Sequence, residues 1–397
     1  MKRSYLALAF VWLAATSTVQ ADEIQTFTNA EGSNYLFTQS VHLDATPVQS
    51  QGYTGTCWSF SSLSFFESEL IRMGTANPDV LSEMFIVRKA YEAKTEKYVR
   101  MSGKTNFSEG GQFHDIPFVI KKYGIVPLEV YSGLNYGSEK HNHSEMFNVL
   151  DGAVKGVIET MNNSRSGKIT SAWKNAIAGI LDAYLGEDVE EFEFKGKKYT
   201  PVSYAKSIGL NMDDYLSITS FTNHAMNEEC ILNIQDNWTN DPSYNVELDD
   251  MVNATIHALE QGYTVAWDAD VSEKGFNFGK GIAVNPVDAD DFKVKEGEKM
   301  ENAFMNPVKE VEVTAEIRQE GYDNKTTMDD HLMHIVGLYQ DQNGTNFFLV
   351  KNSWGTGNHP KGFLYVSESY FKAKTILVYL HKGGLSKKMA GTLGVER

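Results

Sequence analysis

Apolar residues at Phe60, Leu63, Phe66, Leu70 and Ile71 recur at helical spacing, which predicts a helix beginning at Thr56 or Cys57 and stopped by Gly74. A second helix is predicted from the Leu81-Ser82-Glu83 start to about Lys97, and a third over 116–123, closed by Gly124. Before them, residues 22–50 read as an extended lead-in, and Gly52 and Gly55 as a tight loop. The middle of the chain continues in helical periods over 144–161, 171–184 and 248–261. A short hairpin is predicted over 192–199 around Lys195-Gly196-Lys197, and 237–246 reads as loop. The last third changes period. The segments 264–267, 332–339, 346–351 and 362–366 are short, apolar and rich in β-formers, as in an antiparallel sheet or barrel. Residues 284–319 are acidic and mixed, an excursion between strands.

The predicted class is therefore α+β. A helical lobe (about 45–135) faces a β-barrel-like lobe (about 262–380) across a cleft. A helical insertion (about 138–261) separates them in sequence, and a tail (381–397) follows. With 397 residues, 42% of them hydrophobic, the chain can bury a large core. Its formal charge of −16 argues against a nucleic-acid partner, because no basic stripe is present to meet phosphates. Lys2-Arg3, the apolar run from Tyr5 to Ala15 and Val19-Gln20-Ala21 form a secretory signal pattern over 1–21. A secreted or periplasmic mature chain beginning near Asp22 is expected, with no membrane span of its own.

Only two cysteines occur, Cys57 and Cys230, so disulfides do not frame the fold, and both are expected as free thiols. Cys57 opens the first predicted helix, where backbone N–H dipoles favour a thiolate. Far downstream stand Asp330-His331 and Lys351-Asn352-Ser353-Trp354-Gly355. A thiol, an imidazole and an amide in this order supply a nucleophile, a general base and a group that orients the base. Gln51 adds an amide N–H₂ that, with the Cys57 backbone N–H, can hold an oxyanion. Trp354 is placed to cover the His331–Asn352 pair. His334 competes with His331, but residues three apart on a strand point to opposite faces, and His331 is the better fit to the cleft. No Gly-rich phosphate loop and no Cys/His cluster with metal spacing is present, so neither a cofactor nor a metal is expected.

These blocks resemble the papain-like cysteine peptidases, and within them the branch of bleomycin hydrolase and bacterial aminopeptidase C. The resemblance is carried by Gln51 with Cys57-Trp58-Ser59-Phe60, His331 with Gly337, Asn352-Ser353-Trp354-Gly355 and Glu109-Gly110-Gly111-Gln112-Phe113. It implies a two-lobed fold, peptide substrates, an aminopeptidase activity and a hexameric ring. It also implies that Gly110, Gly111 and Trp354 contact substrate. The chain departs from that branch in its signal, its shorter length and its Glu396-Arg397 ending. In the branch the C-terminal tail lies in the cleft and its carboxylate holds the substrate's amine. The alternatives are an endopeptidase with an open cleft and a catalytically silent binding protein.

Overall fold

Helix Cys57–Arg72 starts directly after Thr56 and ends at Met73, with Gly74 in the left-handed region at φ 100°. In the computed structural model, which describes residues 25–163, 168–293 and 302–397, this helix is the central element. The segment read as a signal, 1–21, lies outside the described residues. Every residue from Cys57 to Leu70 is buried, because helices cover one side of it and a sheet the other. Its serines survive burial by bonding to backbone: Ser59 Oγ donates to the Glu83 carbonyl at 2.9 Å and Ser61 Oγ to the Cys57 carbonyl at 2.8 Å.

The helical side contains Glu83–Arg100, capped by the Ser82 hydroxyl, and Asp115–Tyr123, closed by Gly124. Helices Ser144–Asn163 and Ala172–Leu185 pack outside them through Leu150, Val154, Ile177 and Leu181. The hairpin Phe192–Phe194/Lys197–Tyr199 forms as its pattern predicts. Lys195 and Gly196, both at positive φ, make its two-residue turn.

On the other side, a sheet of twelve strands is centred on His331–Gln340. One edge of that long strand pairs antiparallel with Asn346–Lys351. The other is shared end to end by Val265–Ala269 and Phe37–His42. The expected barrel does not close. The sheet runs open from Glu228–Cys230 to Phe276–Asn277, and among the described residues no pairing joins these two end strands. Nor is it wholly antiparallel, since Ile282–Ala283 runs parallel to Phe363–Ser367 and Tyr215–Thr219 parallel to Ser243–Asn245.

The stretch 138–261, expected to be helical, also contains strands Tyr215–Thr219, Glu228–Cys230 and Ser243–Asn245. The first pairs with Thr375–His381, some 160 residues away, so no local period announces it. Asn245, inside the segment read as loop, is buried because its amide donates to the carbonyls of Phe221 and His224, and its Oδ1 accepts from the Phe221 N–H. Within 284–319, of which 294–301 lie outside the described residues, helix Ala315–Asp323 begins under a Thr314 cap. Its buried Arg318 bonds to the Ser220 and Lys372 carbonyls.

Candidate active site

Cys57 occupies the first turn of its helix and is 7% exposed. The preceding loop is fixed at both ends. Gly52, at φ 64°, lies so close to the His141 carbonyl that a Cβ there would overlap it. Gly55 N–H donates to Glu109 Oε2 at 2.7 Å, and Trp58 Nε1 donates to the Glu109 carbonyl at 3.0 Å. Glu109 thereby ties the thiol's loop to the Gly110-Gly111 turn.

His331 begins the central strand, and Asn352 follows the neighbouring one. Asn352 Oδ1 accepts the Ser353 backbone N–H at 2.7 Å, which fixes which end of the amide faces His331. The same Oδ1 lies 2.7 Å from His331 Nε2, so Nε2 must carry a proton, and Nδ1 is left to exchange one. Trp354 covers this pair, with its ring centroid 4.6 Å from that of His331 and its other side against Phe276 and Phe278. The thiol lies beside the backbone N–H of Leu332, the residue after His331. The chain thus brings Cys57, His331, Asn352 and Trp354 to one place.

His334 points elsewhere. Its Nδ1 is 2.9 Å from Ser64 Oγ, and its ring packs edge-on against Phe65 inside the cysteine helix. Gln51 is joined to the Asn352 loop twice: its N–H donates to the Ser353 carbonyl at 2.9 Å, and its Oε1 accepts from Ser353 Oγ at 2.6 Å. One hydrogen of its amide goes to the Thr54 carbonyl at 2.7 Å, which leaves the second free to donate.

Burial pushes the Cys57 thiol up to about 12, and the carboxylates of Asp236, Asp329 and Asp268 push it the same way, while the Leu332 N–H opposes them. Burial also lowers His331 to about 4, against the contrary pull of Asn352 and Asp330. Burial thus favours the neutral thiol and the neutral imidazole in the unliganded site.

Of the three carboxylates near the sulfur, Asp236 and Asp329 escaped pattern reading. Asp236 stands beside the segment read as loop, and Asp329 is two positions before His331. Asp268 lies on Val265–Ala269, paired with Leu332 of the central strand. Gln112 Nε2 bridges two of them, donating to Asp268 Oδ2 at 2.7 Å and to Asp329 Oδ1 at 3.1 Å. Lys94 is buried beneath them, bonded to the Gly110 carbonyl. Among the described residues no group of three or more His, Cys, Asp or Glu has the arrangement of a metal site, and no helix is long and apolar enough to cross a membrane.

The Peptidase C1-like family matches residues 81–396, and the chain belongs to that family. It is a papain-like cysteine peptidase. The family match includes His331 and Asn352 and begins after Cys57. Aminopeptidase C of Listeria innocua is 24% identical over 395 residues, covering 89% of this chain and 84% of that protein. Aminopeptidase G of Lactobacillus delbrueckii subsp. lactis is 22% identical over 384 residues, covering 88% and 84%. The crystal structure of PepW from Lactobacillus rhamnosis HN001 superposes with a TM-score of 0.71 at 20% identity, over 90% of this chain and 84% of that one, and has the same fold.

Proposed function

We propose that this chain is an exported aminopeptidase that hydrolyses peptides through Cys57, His331 and Asn352. The observation that carries the reading is the doubly defined Asn352 Oδ1, which leaves His331 with one nitrogen to serve a thiol at a helix N-terminus. His331 takes the Cys57 proton, and the thiolate attacks the peptide carbonyl. The Cys57 N–H and the Gln51 amide hold the resulting oxyanion. The C–N bond then breaks as His331 returns the proton to the leaving amine, forming a thioester. A water deprotonated by His331 attacks the thioester, releasing the acid and restoring the thiol. Trp354 keeps bulk water from the His331–Asn352 bond, and Gly110 and Gly111 let the substrate backbone approach closely. Residues 1–21 would be removed on export, and the family resemblance extends the proposal to a hexameric ring.

Aminopeptidase action is favoured by the relatives' names, and a specific observation favours endopeptidase action instead. The tail forms helix Lys387–Leu393, with Ala390 and Leu393 buried in the sheet-side core, and Arg397 Nη2 donates to the Gly383 carbonyl at 2.8 Å. These contacts seat the tail on the sheet-side core and the Gly383 turn, and none of them is with Cys57, His331 or Asn352.

The test is hydrolysis of aminoacyl-coumarylamides by the purified mature chain. Turnover is expected with Cys57 intact, together with covalent labelling by a thiol-directed epoxide, and both should vanish in Cys57→Ala. Full activity in Cys57→Ala would refute the thiol mechanism.

A further inference from the structure

Lys94, on helix Glu83–Arg100, is 3% exposed, and a lysine so deeply placed needs partners for its N–H groups. Its Nζ donates to the Gly110 carbonyl and reaches the Ser108 carbonyl at 3.5 Å. Three aromatic faces surround it, with ring centroids 5.5 Å (Trp58), 5.9 Å (Tyr91) and 5.6 Å (Trp238) from Nζ. Two of those rings are themselves fixed. Trp58 Nε1 donates to the Glu109 carbonyl, and Trp238 Nε1 donates to Asp115 Oδ2 at 2.6 Å. Burial lowers the pKa of Lys94, and the neighbouring acids Asp115, Asp236, Asp329 and Glu109 oppose that shift. In either charge state the nitrogen keeps N–H groups for the two carbonyls.

This nitrogen lies under the glycine turn. The carbonyls of Glu109 and Gly110 are both drawn inward, to the buried Trp58 and Lys94, and away from the cleft. Asp236 closes another side of the turn, because a Cβ on Gly110 would overlap its Oδ2. A Cβ on Gly111 would press on Asp115 and on the Trp58 ring. Two consecutive glycines have no side chains to hold their path, so that path is set by what bonds to their backbone. At Gly110 the bond comes from Lys94.

We propose that Lys94 is a positioning residue for substrate binding: by holding the Gly110 carbonyl inward, it sets the backbone edge that Gly110 and Gly111 offer to the peptide. Lys94 touches no substrate and acts through the turn. A displacement of about 1 Å in such a surface is enough to cost a large factor in productive binding. Lys97 provides the contrast. It lies one turn further along the same helix and bonds to the Trp238 carbonyl, not to the glycine turn. This inference rests on the peptidase reading above and on Gly110 and Gly111 meeting the substrate.

The experiment measures leucine-coumarylamide kinetics, labelling of Cys57 by a peptidyl epoxide and alkylation of Cys57 by iodoacetamide, a reagent too small to use the turn. The proteins are the intact chain, Lys94→Met, Lys94→Gln and Lys97→Met, each checked for folding by near-UV circular dichroism. Lys94→Met is expected to raise KM and to slow epoxide labelling by about 10- to 100-fold, as befits loss of a hydrogen bond from a charged donor to the turn. Its kcat and its iodoacetamide rate should stay within about 3-fold of the intact chain, since the thiol, His331 and Asn352 are untouched. Lys94→Gln keeps a neutral donor and should fall between the two, and it carries the test if Lys94→Met does not fold. Lys97→Met should leave KM unchanged. An unchanged KM in the folded Lys94 variants overturns the inference, and so does an equal rise in Lys97→Met, which would make the effect a general disturbance of the helix. A loss of kcat and of iodoacetamide alkylation with KM intact would place the effect at Cys57 through Trp58, and overturns it too. An intact chain that neither cleaves the coumarylamide nor takes up the epoxide overturns the peptidase reading itself.

Discussion

His331 Nε2 and Asn352 Oδ1 are 2.7 Å apart, and the amide end is set independently by the Ser353 N–H. That relationship separates two histidines on one strand. His331→Ala is expected to lower kcat as severely as Cys57→Ala. His334→Ala removes a buried ring held by Ser64 and is expected to cost about 1–3 kcal/mol of stability, with kcat at permissive temperature largely kept. Steady-state kinetics with thermal unfolding of both variants decides it, and the opposite ranking would exchange their roles.

Gln51→Ala removes an oxyanion donor and is expected to reduce kcat by about 10²–10³ with little change in KM. Because Gln51 Oε1 also accepts from Ser353 Oγ, a Gln51→Glu variant keeps that bond but sets a carboxylate oxygen against the Thr54 carbonyl and a negative charge beside the oxyanion. Its kcat loss should be at least as large. A pure KM effect in either variant would make Gln51 a positioning residue.

Gly111→Ala puts a methyl group 2.5 Å from Asp115 Oδ2 and 2.9 Å from the Trp58 ring. Both neighbours are buried, so the expected cost is about 1–3 kcal/mol. Gly156→Ala, in helix Ser144–Asn163 with open space around it, is expected to stabilise by about 0.5–1 kcal/mol. Chemical denaturation of the pair checks whether the glycine turn is sterically required.

Burial raises the carboxyls of Glu83 to about 8, and of Asp115, Asp329 and Glu310 to about 7. Each is protonated when folded and ionised when unfolded, so its stabilisation is complete below the ordinary carboxylate range and is lost as pH rises through 7–8. His331 and His114, lowered to about 4, and His143, to about 3, act in the other direction, but only below about 6.5, the ordinary histidine value. The melting temperature is therefore expected to fall between pH 6.5 and 7.5, and to fall less in Glu83→Gln. A rise over that interval would show that these carboxyls are ionised in the fold.

The start of the cysteine helix, its companions, the hairpin and the four strands of the last third were legible in the sequence. Each is specified by a local period or a capping residue, and neither depends on distant parts of the chain. The residue types at Gln51, Cys57, His331 and Asn352 were legible too, since a thiol, an imidazole and two amides in those contexts already limit the chemistry. Strand alternation implied that only one of His331 and His334 faces the cleft, and the Asp330 and Gly337 context pointed to His331; in the structure His331 bonds Asn352 and His334 bonds Ser64. Strand Tyr215–Thr219 and the open edges of the sheet were not legible, because pairing across some 160 residues leaves no local trace. The same holds for the tail, whose apolar Ala390 and Leu393 find a core only after the sheet exists. The carboxylates around Cys57 were the least legible of all. Asp236, Asp268 and Asp329 come from three separate segments, and their effect on the thiol depends on distance and burial, which tertiary packing alone decides.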